Sequence, residues 1–188
     1  MEQLRWELKM LFPYKNDGQE IIKILKSDTA GSIMVSTVHP WFYKKIRSLF
    51  EPEFELLIEP SWFSIDRVVR KLCPENETTA CFHLIGNKLA AMFYAGNEPR
   101  AFEIREIREP NDLIELIIDF ASANNPAEVF FFSENSTKTF ISLLQSKTGL
   151  VFGNLFGKLK NNDIKVFNPG LPVFSGLAAL GAALHNFN

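Results

Sequence analysis

"TTACFHLIGNKLAAMFYAGNEPRAFEIREI", residues 78–107, decides how the rest of this chain is read. Three runs rich in aliphatic and aromatic residues, 78–86, 88–96 and 99–107, follow one another, parted by Gly86-Asn87 and Gly96-Asn97. Such dipeptides between apolar runs close two-residue hairpins, because glycine enters the positive-φ region without steric cost. The stretch therefore predicts an antiparallel meander of three strands.

Beyond the meander the period changes. "NDLIELIIDFASAN" (111–124) has helical spacing, with Asn111 as the expected cap. "EVFFFS" (128–133) is a short apolar run, as expected of a strand covered on both faces. "STKTFISLLQSKTG" (136–149) reads as a helix capped by Ser136 and closed by Gly149. A further strand is expected within 150–167, with "DIKVFN" (163–168) the candidate, and a helix over 172–186 ends the chain. Ahead of the meander, Leu4, Leu8 and Leu11 mark a helix over 2–12 that Pro13 stops. Strands at 20–27 and 31–38 are expected to form a hairpin. They are followed by a helix opened by Pro40, a strand at 54–60, and a helix at 61–73 with Ser61 as its cap.

The second half thus runs β-β-β-α-β-α-β-α. Three antiparallel strands leading into parallel units with crossover helices is the order of the ribonuclease-H-like fold, which actin-like ATPases use twice. The expected class is α/β with this fold: one complete lobe at 75–188 and a partial N-terminal lobe at 1–74.

Composition limits the function. Lys+Arg number 20 against 22 Asp+Glu, a net charge of −2, which lacks the strong overall basic field that a duplex-binding protein uses, so nucleic acid is not an expected partner. The two cysteines, Cys73 and Cys81, lack the C-x-x-C spacing of a zinc site and are expected as buried thiols of a reducing compartment. No apolar run follows the charged start, and Gly170–Leu184 is too short to cross a bilayer, so the cytoplasm is the expected location.

Chemistry is sparse. A metal-dependent nuclease of this fold needs carboxylates on the first meander strand; residues 81–86 hold none, and His83 there reads as a structural residue. No P-loop or nucleophile-elbow motif occurs, and no histidine stands near a credible nucleophile. An actin-like ATPase needs glycine-rich hairpins, each opened by an Asp, whose backbone N–H groups bind phosphate oxygens. "LIGNK" (84–88) keeps Gly86 and Asn87 but has Leu84 in place of the acid, and it reads as an ordinary turn. "FFFSENSTKTF" (130–140) stands where the adenosine turn belongs; it holds no glycine, and Ser133 and Glu134 take its first positions.

Taken together, "EQLRWELKMLFPY", "IMVSTVHPWFYKKIRSLFE", "ELLIEPSWFSI", the meander and "LPVFSGLAALGAAL" resemble, in order, the PilM-type pilus-assembly proteins; the GspL cytoplasmic domains of type II secretion are a similar match. A first phosphate hairpin, usual in the family upstream of the "RWE" helix, has no counterpart in these 188 residues. The resemblance implies a degenerate nucleotide site at Gly86, Asn87, Ser133 and Glu134, inactive toward ATP and Mg²⁺, and no catalytic or metal residues. It also implies docking of the cytoplasmic segment of a bitopic inner-membrane protein. Arg5, Trp6, Leu8, Phe12, Trp41 and Trp62 are the anchoring candidates, since aromatics are frequent binding anchors. The function expected is a non-catalytic scaffold of a type IV pilus or type II secretion machine, peripheral to the inner membrane. The alternatives are an ATPase completed by another chain, or an unrelated interaction domain of the same fold. The apolar stripe at 2–11 calls for a partner, either a second copy or another subunit.

Overall fold

The computed structural model describes residues 21–26, 33–38, 40–51, 61–73, 75–133 and 137–155, together with Lys158 and Gly181. The chain divides into two compact units, 1–25 with 33–59, and 26–32 with 60–188. In the first, β1 (Ile21–Lys26) and β2 (Ile33–Val38) pair as a two-stranded sheet, and helix α1 (Pro40–Arg47) follows. The expected helix at 2–12, the strand at 54–60, the strand at 163–168 and the helix at 172–186 lie outside the described residues, apart from Gly181, which is helical.

The second unit is built on the meander. β3 (Thr78–Ile85), β4 (Lys88–Ala95) and β5 (Glu98–Glu106) are antiparallel neighbours, and β6 (Glu128–Ser133) joins β3 in parallel, giving the order β5-β4-β3-β6. Beyond β6, Phe152 forms a parallel bridge with Val129. The two turns are as short as the sequence predicts: Ile85 pairs with Lys88, and Ala95 with Glu98. Gly86 and Gly96 take φ of 56° and 60° as first turn residues, while neither following Asn has positive φ, the arrangement of a type II′ hairpin. Gly86 has open space around a notional Cβ, so only its backbone conformation resists substitution. Gly86→Ala is expected to cost about 1 kcal/mol or more, since a side chain resists positive φ at the first position of such a turn; chemical denaturation of the variant checks this.

The structure differs from the sequence reading in its helix caps, where Thr137 and not Ser136 caps the helix at 138–148 and Ser61 lies inside its helix, and in two further features. β4 and β5 slip register between Phe93 and Tyr94, so that Tyr94 faces Pro99 and Arg100 is the extra residue of a bulge. A proline is acceptable there because β5 lies at the edge of the described sheet. The helix expected from Asn111 is α3 (Pro110–Asn124), capped by Glu109 rather than Asn111. Pro110 takes the first helical position, where a missing N–H costs nothing. The Asp112 carboxylate then accepts from the backbone N–H groups of Arg108 and Glu109, both at 3.0 Å, which holds that carboxyl below its ordinary range.

Helices cover both faces of the sheet. Helix α2 (Ser61–Leu72), which begins on Ser61 itself, presents Ile65, Val68, Val69 and Leu72 to Cys81, Met92, Tyr94, Phe130 and Phe132. These spacings of three and four residues place the apolar side chains on one stripe. On the opposite face, Leu113, Leu116, Ile117 and Phe120 of α3, with Leu144 of α4 (Lys138–Thr148), pack on Ala80, Phe82, Leu89, Ala91, Phe93, Val129 and Phe131. Each fully buried Leu, Ile, Val or Phe among them contributes about 2 kcal/mol. The phenylalanine run of β6 now has its reason. Alternation sends Phe131 to one face, against Phe140 and Phe152 at 5.8 Å each, and Phe130 and Phe132 to the other, stacked at 6.4 Å. Helix α2, which precedes residue 75, belongs with this second unit. Helix α4 is capped by Thr137, whose hydroxyl accepts from the Phe140 N–H at 3.1 Å, and Gly149 closes it at φ 71°.

Candidate functional site

Parallel pairing brings the carboxyl ends of β3 and β6 together, which is where α/β sheets present their ligand sites. Leu84 stands in register with both Leu89 and Ser133. Gly86, Asn87 and Ser133, distant in sequence, thus reach one end of the sheet. Glu134 lies outside the described residues. Leu84 and Ser133 are half-buried, while Gly86 and Asn87 are exposed.

Asn87 is engaged by the end of β5. Its Nδ2 donates to Glu106 Oε1 at 3.0 Å, and its carbonyl accepts from the Ile107 N–H at 2.6 Å. The turn therefore presents a carboxylate at its tip, next to the one side chain there with amide donors. Leu84 offers no oxygen to a metal. Among the described residues, no group of three or more His, Cys, Asp or Glu side chains is placed to hold a metal ion. His83, on the α2 face beside Ala90 and Phe132, is buried, and desolvation lowers its pKa to about 4. It is neutral throughout the physiological range and so is not the imidazolium that a histidine general acid uses.

The aromatic candidates separate. Trp41, on α1, is exposed, whereas Trp62, on α2, is half-buried and packs against the core, with its neighbour Phe63 buried. Arg5, Trp6, Leu8 and Phe12 lie outside the described residues. Cys73 and Cys81 are both buried free thiols whose pKa values are pushed up by burial, as the sequence suggested.

One polar cluster escaped the sequence reading. Asp66 lies on the buried side of α2, accepting from Tyr94 Oη at 2.9 Å and from Arg70 Nε at 3.0 Å. Burial raises its pKa against the opposing pull of Arg70 and Tyr94. The signal available in sequence was an acid four residues ahead of an arginine, set beside an apolar stripe, which more often marks an exposed helical ion pair.

No family model matches the chain, and no curated protein matches it. Solved structures do. A Bacteroides thetaiotaomicron protein of actin-like ATPase fold and unknown function superposes with a TM-score of 0.54, at 11% identity over 86% of this chain and 66% of that one. A chain of the PilM–PilN type IV pilus biogenesis complex superposes with a TM-score of 0.58, at 13% identity over 96% of this chain and 71% of that one. The fold is actin-like. The chain spans about two thirds of the length of these structures, and identities this low establish architecture alone. No described helix is long and apolar enough to cross a membrane.

Proposed function

We propose that this chain is a non-catalytic scaffold of a bacterial type IV pilus or type II secretion machine. It is built as one complete ribonuclease-H-like lobe with part of a second. It holds the cytoplasmic segment of a bitopic inner-membrane protein at the inner face of that membrane, without ATP or metal. The likeness to a chain of the PilM–PilN complex supports the assembly role. The observation that carries the non-catalytic reading is the turn at Gly86-Asn87. Leu84 stands where the resemblance calls for an acid, and the donors of Asn87 face the Glu106 carboxylate instead of an empty cradle. A triphosphate placed there would meet that carboxylate at close range, and like charges at such distances repel by about 1 kcal/mol or more each.

Titration calorimetry with ATP and Mg²⁺ tests this. We expect no binding tighter than ~10 μM, about 7 kcal/mol; tighter binding would favour an ATPase completed by another chain. The docking half is tested separately, by titrating the peptide from the cytoplasmic end of a bitopic membrane protein encoded beside this chain. Failure of every such peptide to bind overturns the scaffold role.

A further inference from the structure

Helix α1 and the turn after it gather side chains that a protein surface ordinarily hides. Trp41, Phe42, Leu49 and Phe50 are 63%, 45%, 74% and 49% exposed within a span of ten residues. Isolated exposed apolar residues are ordinary; four large ones on one short helix and its turn form a patch. The same segment is cationic. Lys44, Lys45 and Arg47 occupy the last turn of the helix, and Glu51 is the one acid among the described residues of this segment, 40–51, in a chain whose net charge is −2. Positive charge is therefore concentrated where the apolar side chains emerge.

The arrangement is specific. Lys45 Nζ sits over the Trp41 ring, 5.1 Å from its centroid, so the indole and an ammonium share one face of the helix. Arg47 turns back to donate to the Glu51 carbonyl at 2.9 Å, which fixes the chain leading to Leu49 and Phe50. Ser48 and Leu49 close the turn through N–H bonds to the Lys44 and Ile46 carbonyls, both at 3.0 Å. Leu49 and Phe50 thus project from an ordered turn.

We propose that this segment is a peripheral membrane anchor that seats Trp41, Phe42, Leu49 and Phe50 in the headgroup region of an anionic bilayer, with Lys44 and Lys45 against lipid phosphates. Tryptophan favours that boundary, where its apolar body and its N–H are both satisfied, phenylalanine and leucine supply buried apolar area, and lysine stems bury apolar length while their ammonium groups reach outward. An α-helix of eight residues is about 12 Å long, so it lies in the surface and does not cross it. Charge complementarity selects an anionic surface over a neutral one. The anchor stands apart from protein docking, because a lipid vesicle carries no protein. Its failure leaves the scaffold reading untouched, and the reverse also holds.

The full chain is incubated with phosphatidylcholine vesicles, and with vesicles containing one quarter phosphatidylglycerol, and sedimented at low and high salt. Binding to the anionic vesicles at low salt is expected, at least tenfold stronger than to the neutral ones. Trp41 emission should shift to the blue on binding, a shift lost in Trp41→Phe. The Lys44→Glu/Lys45→Glu variant should lose ~30-fold or more in vesicle affinity, the worth of two cations at an anionic surface. Leu49→Ser/Phe50→Ser should lose a similar factor that salt does not restore. All four positions are exposed, so circular dichroism is expected to show both variants folded; a variant that unfolds is replaced by Leu49→Gln alone. Equal binding to both vesicle types, no binding by the folded chain, or binding unchanged in the charge-reversed variant overturns the proposal. So does binding of an acidic amphipathic peptide without any binding to vesicles, which would make the patch a protein-docking surface.

Discussion

Gly181→Ala is expected to lower the unfolding free energy by about 3 kcal/mol. Gly181 lies against the backbone of α2, where an added Cβ would stand 1.8 Å from the Ser64 carbonyl oxygen and 2.8 Å from its Cα. Those atoms belong to a helix, so the clash cannot be relieved by turning a side chain. Helix α2 would have to move, and its other side is fixed: Ile65, Val68 and Val69 are at most 1% exposed against the sheet. The contact is also tied electrostatically, since Arg67 Nε donates to the Gly181 carbonyl at 2.7 Å. Moving α2 away to admit a methyl group weakens that bond and opens space beneath the helix, and both costs add to the overpacking. In urea, with a slope of about 2 kcal/mol/M for a chain of this size, the midpoint should fall by about 1.5 M. Gly149→Ala is the control: nothing lies within 4 Å of its notional Cβ, and only the φ of 71° opposes it, at about 1 kcal/mol. A midpoint shift for Gly181→Ala no larger than that of the control would show that the chain does not pass α2 this closely.

The same contrast shows what a sequence can and cannot carry. The meander was legible because its information is local: a glycine followed by an asparagine between apolar runs permits few backbone paths, and Gly86 and Gly96 take them. The triple phenylalanine of β6 was legible because only a strand covered on both faces can bury consecutive large residues. The parallel pairing of Leu84 with Ser133, and with it the meeting of both candidate site segments, followed from the order of elements. Non-local facts stayed hidden. That Gly181 meets Ser64 depends on atoms 117 positions apart. Trp41 and Trp62 have similar neighbours in sequence, Phe following each, yet one is exposed and the other packs on a core. The cap of α3 was misplaced for a local reason: a proline at the first helical turn outranks an asparagine one residue later. The bulge opposite Tyr94 left no signal beyond Pro99, and a proline alone marks an edge without marking a slip of register.

Asp66→Ala is expected to cost about 2 kcal/mol and to change how stability depends on pH. Tyr94 is fully buried, and its hydroxyl donates to Asp66. Removing the acceptor leaves that hydroxyl with the Met92 sulfur at 3.7 Å, a weak substitute, and a buried hydroxyl that loses its partner costs about 1–3 kcal/mol. Arg70 is 31% exposed at its side chain, so its guanidinium can turn to water and adds little to the loss. The pH dependence follows from the direction of the shift. Burial raises the folded-state pKa of Asp66 above the ordinary 3.8, so the folded chain binds this proton more tightly than the unfolded chain. The contribution to stability is complete below 3.8 and is lost as pH rises through the raised folded value. Near neutrality the carboxylate is thus held in place at a cost, offset by Arg70 and the Tyr94 hydroxyl. Asp66→Asn removes the titration while keeping an oxygen that can accept from Tyr94. Between pH 4 and pH 7 its unfolding free energy should therefore rise relative to that of the parent chain, and at pH 7 it should lie above that of Asp66→Ala. Denaturant titrations of the three proteins across that range decide the matter: parallel curves for the parent and Asp66→Asn would mean that Asp66 titrates in the fold as it does in the unfolded chain.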